Sequence, residues 1–222
     1  LVDSVRYDDQ SPWPTAADGQ GASLALVHPL LDNAQARFWS ASANGGVEIV
    51  DALLANGADA TICDNRYGSN SLIIASQNGQ ADVATSLINS GLDVNYQNKD
   101  GWTALIWAAE KGHTRIVEEL VKSGADLNLT ETKYGSTALI SAADKGHTEI
   151  AQILIDAGAL LDVRDLQGFT PLLMSCGKGH IDIAVALIKG GCDPNIKHPD
   201  GITARYLAET LEHERVLELL NE

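Results

Sequence analysis

Apolar residues recur in two alternating patterns along most of this chain. One pattern places Ile116, Val117, Leu120 and Val121 on a single face of a helix, with charged residues on the other face. The other is a shorter, alanine-rich segment such as residues 103–111, which ends at a glycine. Turn residues separate one such pair from the next. The chain is therefore predicted to form pairs of helices joined by turns.

The helix pairs repeat at a fixed period. The glycine that ends each first helix recurs at intervals of 34, 33, 34 and 33 residues, and the glycine that ends each second helix keeps the same intervals. The first series is Gly45, Gly79, Gly112, Gly146 and Gly179, and the second is Gly57, Gly91, Gly124, Gly158 and Gly191. Such a period is the signature of a solenoid, in which neighbouring units bury one another's apolar faces.

The period divides residues 36–222 into units. We predict units at about 36–65, 66–98, 99–132, 133–165 and 166–198, closed by a polar cap at 199–222. Each first helix is expected to begin at a capping residue of the kind seen in Thr103-Ala104-Leu105, where the threonine hydroxyl can accept a backbone N–H.

Residues 101–128 carry a recognisable motif. They resemble the ankyrin repeat pattern G-x-T-P-L-H-x-A-A-x-x-G-H-x-x-I-V-x-x-L-L-x-x-G-A-D-V-N almost throughout. The resemblance implies an α solenoid of helix pairs with β-hairpin fingers, acting as a non-catalytic scaffold or adaptor. Its partner would bind the concave surface of fingers and first helices. One departure is systematic, because apolar residues or a tyrosine replace the family's histidine: Ile73, Ile106, Ile140, Leu173 and Tyr206.

Residues 1–35 lack the period. Their prolines and alternating apolar positions predict a short β-type segment. The run from Tyr7 to Ser42 resembles the closing motif P-W-P-x-x-A-D-G-x-G-x-S-L-x-L of bacterial lamin-tail-like domains. A coincidental leader rich in proline and glycine is the alternative. The lamin-tail resemblance implies a second function, a surface-exposed structural or targeting appendage of a larger secreted enzyme outside the cytoplasm of a bacterium. Without it, a cytoplasmic location is expected.

Charge and composition exclude several classes of partner. The formal net charge is -15, which would repel a nucleic acid backbone. No apolar run approaches the roughly 20 residues of a membrane span. The cysteines, Cys63, Cys176 and Cys192, are far apart and are predicted to be free thiols.

Motifs for catalysis, cofactors and metals are missing from the sequence. We find no nucleophile elbow, metalloprotease motif, phosphate loop or dinucleotide fingerprint, so we expect neither an enzyme nor a cofactor. His113, His147 and His180 each open a second helix, one unit apart. Packed helices lie about 8–10 Å apart, whereas zinc ligands lie about 2 Å from the metal, so these histidines are predicted to be structural.

The predicted concave surface carries large side chains and lysines in each unit. The candidate partner-binding residues are Tyr67, Lys99, Trp102, Lys111, Tyr134, Lys145, Phe169 and Lys178. Aromatic anchors flanked by charge are typical of interface hot spots, so we expect a protein partner. Its segment would be apolar where it meets the aromatic residues or acidic where it meets the lysine row. The chain itself is expected to be a monomer. The alternative is that each aromatic residue packs on the next finger and each lysine complements a helix dipole.

Overall fold

The structure, a computed structural model, describes residues 41–43 and 45–221. Residues 41–43 are helical, and eleven further helices follow within this part of the chain. They are α1 (Val47–Ala55), α2 (Ser71–Gln77), α3 (Ala81–Asn89), α4 (Ala104–Lys111), α5 (Thr114–Lys122), α6 (Ala138–Lys145), α7 (Thr148–Asp156), α8 (Pro171–Lys178), α9 (Ile181–Lys189), α10 (Ala204–Thr210) and α11 (Glu214–Leu219).

The helices form two stacked layers. The inner helices α2, α4, α6, α8 and α10 pack on one another in chain order, and the outer helices α1, α3, α5, α7, α9 and α11 do the same. Within a unit, the inner helix packs on the outer helix that follows it. Contacts therefore run between neighbouring units, which is the arrangement of a solenoid.

The start of each inner helix is fixed by a side-chain cap. The Thr103 hydroxyl accepts the backbone N–H of Ile106 at 3.1 Å, and Thr137 accepts that of Ile140 at 3.2 Å. Asn70, Thr170 and Thr203 cap α2, α8 and α10 in the same way. A cap of this kind stabilises a helix by about 1 kcal/mol, and it sets the same register in each unit.

The core is a set of columns that run through the stack. Two positions of the inner helices are filled by large apolar residues with at most 2% of their surface exposed. These positions are Leu72, Leu105, Leu139 and Leu172, followed in each unit by Ile73, Ile106, Ile140 and Leu173. Full burial of such a side chain contributes about 1.5–3 kcal/mol. The second column takes the place of the histidine in the motif, so apolar contact does replace the polar side chain there.

The histidines that open the outer helices are packing residues. His147 precedes α7, and its ring lies over Gly112 of the preceding unit, where a Cβ would approach the ring to 2.7 Å. Gly112 also has a φ of 79°, a left-handed conformation that favours glycine. His180 stands in the same relation to Gly146. Among residues 41–43 and 45–221, no three metal-ligating side chains cluster.

The last unit ends the stack with a charged residue in a core column. Arg205 stands where the other units have a buried leucine, and it is exposed. Its guanidinium donates to the carbonyl of Leu220 at 2.5 Å and to the side chain of Asn221 at 3.0 Å. This substitution lets the final inner helix face water.

Two expectations differ from or lie outside the structure. The connections between units within residues 45–221 are turns with no β strand, so the predicted β-hairpin fingers are not seen as paired strands. The predicted β-type segment at residues 1–35 lies outside the described part of the chain. No helix in the described ranges is long and apolar enough to cross a membrane.

Candidate partner-binding groove

Each turn between units is organised around one polar side chain. Glu131 is buried, and its carboxylate accepts the backbone N–H groups of Lys133 at 2.6 Å, Tyr134 at 2.8 Å and Ser136 at 3.1 Å. The side chains that accept backbone N–H groups in the same position of the other turns are Asp64, Asn98, Asp165 and His198. These bonds fix the turns, which we call the fingertips, so their outward-facing residues have defined positions.

Neighbouring fingertips are joined by backbone hydrogen bonds. The N–H of Lys99 donates to the carbonyl of Tyr67 at 2.9 Å, that of Thr132 to Asp100 at 2.9 Å, and that of Leu166 to Tyr134 at 2.7 Å. The fingertips therefore form one continuous edge beside the inner helices.

An open groove of about 410 Å³ lies between the fingertips and inner helices α4, α6 and α8. On one side, the indoles of Trp102 and Trp107 stack with their centroids 4.1 Å apart and their planes at 24°. Both indoles are half-buried against the core. Tyr134, with 43% of its surface exposed, and the half-buried Met174 also line the groove. The groove thus offers apolar and aromatic surface that the fold does not cover.

Charged side chains border this aromatic surface. The Lys111 ammonium lies 5.5 Å from the centroid of the Trp107 ring. Lys145 contacts Glu110 at 3.1 Å and Asp144 at 2.8 Å, and Lys178 contacts the other oxygen of Asp144 at 2.9 Å. Positive and negative charges alternate here, and the Lys145–Glu110 and Lys178–Asp144 pairs join neighbouring units.

The pairing changes the titration of its members. Burial alone would raise the pKa of the Asp144 carboxyl, but hydrogen bonds from Lys145 and Lys178 outweigh it and hold that pKa below its usual value. The hydrogen bond to Asp144, supported by Glu110, raises the pKa of Lys145. Both groups therefore stay charged over a wider pH range than usual.

Comparison with known proteins gives the family of this fold. The sequence profile of ankyrin repeats, in three copies, matches residues 38–131 and 128–198. The crystal structure of an ankyrin repeat domain from Acinetobacter baumannii AYE is 31% identical, with a TM-score of 0.77, over 82% of this chain and 95% of that one. The chain belongs to the ankyrin repeat family. No curated protein sequence matches it. Ankyrin repeat domains are generally protein–protein interaction modules and are typically non-catalytic.

The ankyrin stack brings four of the eight sequence-predicted site residues onto one groove. Trp102, Lys111, Tyr134 and Lys145 all line it. Lys178 lies beside them through its contact with Asp144.

The remaining three predicted residues lie elsewhere on the stack. Tyr67 is an exposed fingertip residue, with the Arg66 guanidinium 4.8 Å from its ring centroid. The Lys99 ammonium donates to the carbonyl of Asn65 at 2.8 Å, in the preceding fingertip. Phe169 is half-buried, and its ring centroid lies 4.5 Å from that of His198 in the next turn, which is the packing role considered as the alternative.

Sequence reasoning missed several groove residues. Trp107, Glu110, Asp144 and Met174 line the groove but were not among the predicted site residues. A signal for them exists in the repeat itself, because one position of the inner helices changes from unit to unit: Ile74, Trp107, Ser141 and Met174. A column that varies beside columns that stay apolar can mark a position at the border of the core and the groove.

The cysteines offer no reactive thiol on this surface. Cys176 and Cys192 are buried, and desolvation raises the pKa of each thiol to about 12. Thiolate is the reactive form of cysteine, so these two groups are chemically inert at neutral pH.

Proposed function

We propose that this protein is a non-catalytic scaffold or adaptor that binds a protein partner in the groove of Trp102, Trp107 and Tyr134. The observation that carries the proposal is the stacked indole pair. Two large aromatic rings remain half-buried beside an open groove, although the fold covers the leucine and isoleucine columns next to them. Tryptophan and tyrosine at the centre of a concave surface are the residues that most often dominate binding energy.

The groove fits an apolar side chain of the partner. A partner residue that enters it would contact the indole pair on one side and Tyr134 and Met174 on the other. Because Lys145 and Lys178 are already paired with Glu110 and Asp144, these charges orient the partner rather than supply most of the affinity. The chain would bind as a monomer, with one partner segment for each stack.

Site-specific photo-crosslinking tests the proposal. A benzophenone amino acid is placed at Tyr134 in the groove or at Gln152, an exposed residue of outer helix α7. In extract of the source cells, the groove position should crosslink a protein that the outer position does not. The same crosslink should weaken when Trp107→Ala is added, because the apolar contact is lost.

A matched substitution separates binding from folding. Trp107 packs partly on the core, so Trp107→Ala must be compared by thermal unfolding with Glu118→Ala on outer helix α5, and crosslinking is measured only where both variants are folded. The proposed binding site would be wrong if Tyr134 and Gln152 gave equal crosslinking. It would also be wrong if Trp107→Ala folded normally and left the crosslink from Tyr134 unchanged.

A further inference from the structure

A row of cations runs along the fingertips, outside the groove. In three successive turns, Arg66, Lys99 and Lys133 each stand two residues before the turn glycine, 33 and 34 residues apart in sequence. All three side chains are exposed. We call them the fingertip cations.

The fold does not neutralise the fingertip cations. Within the described ranges, none of the three makes an ion pair, in contrast to Lys145 and Lys178 on the inner helices. The nearby carboxylates of Asp64 and Glu131 point into their own turns, where each accepts three backbone N–H groups. Around these three turns, the outward-facing charge is therefore positive apart from Asp100.

Two of the fingertip cations sit on exposed tyrosine rings. The Arg66 guanidinium lies 4.8 Å from the Tyr67 centroid, and the Lys133 ammonium lies 4.4 Å from the Tyr134 centroid. These contacts hold the charges at the outer rim and place an aromatic face beside each. Tyr134 also lines the groove, so the row and the groove form one continuous surface.

The opposite side of the stack carries the reverse charge. The outer helices α1, α3, α5, α7, α9 and α11 contain ten acidic and four basic residues. An acidic chain that approached the outer helices would be repelled, whereas the fingertip edge would attract it. Within residues 45–221, the fingertip cations therefore favour an anionic partner, whereas the outer helices disfavour one.

We infer that the fingertip cations receive an acidic segment of the protein partner, whose carboxylates pair with Arg66, Lys99 and Lys133 while an apolar side chain enters the groove. The inference rests on the proposed function for its partner but on different residues for its contacts. A protein segment fits better than a nucleic acid, because a duplex or long strand would extend over the acidic surface beyond the edge.

The test uses a fluorescein-labelled oligoglutamate peptide with one central leucine and measures its fluorescence anisotropy at low and at physiological salt. The wild-type chain should bind it, with an affinity that falls as salt rises. Arg66→Glu together with Lys133→Glu should weaken binding about tenfold or more at low salt, because the steering charge is reversed. Both residues project into solvent, so folding should be retained, as checked by circular dichroism.

The matched control reverses the same number of charges on the outer helices. Arg115→Glu with Lys122→Glu changes the net charge equally and should leave oligoglutamate binding within about twofold. An equal loss in this control would overturn the inference, since total charge would then explain binding. Tighter binding of single-stranded DNA than of oligoglutamate would also overturn it.

The result is separable from the groove proposal. Should the fingertip variant bind oligoglutamate like wild type while Trp107→Ala still abolishes the Tyr134 crosslink, the groove stands and the fingertip inference fails. Should Trp107→Ala leave the crosslink intact while the fingertip variant loses oligoglutamate binding, the groove proposal fails alone.

Discussion

The buried columns of the inner helices and the groove-lining column beside them lie one residue apart, yet they behave differently along the stack. The position of Ile106 is isoleucine or leucine in four units and is buried in each. The next position, that of Trp107, holds isoleucine, tryptophan, serine or methionine. Packing between identical units demands the same shape each time, so repetition marks structure. The adjoining position varies because Trp107, Ser141 and Met174 face the groove as well as the core, so binding specificity can be placed there.

The largest difference between the buried columns and the groove surface should appear in stability. Leu139 is 1% exposed, and Leu139→Ala should lower the free energy of unfolding by about 2–5 kcal/mol, because it removes buried contacts and leaves a cavity. Tyr134→Ala, in the exposed fingertip, should change it by about 0.5 kcal/mol or less. Urea unfolding followed by circular dichroism measures both, and equal losses would contradict the distinction between the buried columns and the groove surface.

Two glycines allow the contribution of contacts between units to stability to be measured. Gly112 and Gly124 have φ angles of 79° and 80°, but only Gly112 lies against a neighbour, the His147 ring. Alanine at either position adds backbone strain of about 1–2 kcal/mol. Gly112→Ala should cost more than Gly124→Ala in thermal unfolding, because the ring must also move. The same cost at both sites would mean that the histidine row does not lock adjacent units.

The buried thiols should make the stack sensitive to alkali. Cys176 and Cys192 have pKa values raised from 9.0 to about 12, so above pH 9 the unfolded chain loses protons that the folded chain keeps. Stability should therefore fall as pH rises from 9 towards 12, by about 1 kcal/mol for each thiol between pH 9 and pH 10.

The repeat supplies the matched variant for that experiment. Alanine occupies the equivalent buried positions at Ala143 and Ala159, so Cys176→Ala with Cys192→Ala should fold and flatten the alkaline decline. Denaturant unfolding across this pH range measures how the free energy of unfolding changes with pH. The same decline in the double variant would mean that other groups cause it.

The smallest effect is expected on the outer helices. Arg115 and Asp82 form an ion pair between units at 2.7 Å, but both side chains are 64% exposed. Arg115→Ala should change the melting temperature very little, since exposed pairs contribute about 0.2–1 kcal/mol. A large drop would show that the outer face, and not only the buried columns, holds the units together.

Much of the fold could be predicted because it repeats. The period fixed the units, the threonine caps and the glycine turns, and the structure agrees at Thr103, Thr137 and Gly112. The candidate binding groove was harder to predict. No tryptophan stands at the position of Trp107 in the units of Ile74, Ser141 and Met174. The pairing of Lys145 with Glu110 depends on how closely units stack, which spacing alone does not give. Nor does the spacing show that the buried Glu131 carboxylate holds its turn by accepting backbone N–H groups.

The most direct measurement is the dissociation constant of the crosslinked partner for Tyr134→Ala compared with Gln152→Ala, determined by titration calorimetry. Tyr134 lines the groove and contacts the fingertip cation Lys133, whereas Gln152 lies on outer helix α7. We expect Tyr134→Ala to weaken binding by about 2 kcal/mol, the size of a hot-spot residue, with its melting temperature unchanged. Gln152→Ala should bind like wild type. Unchanged affinity in Tyr134→Ala, or an equal loss in Gln152→Ala, would contradict a partner site on the concave groove.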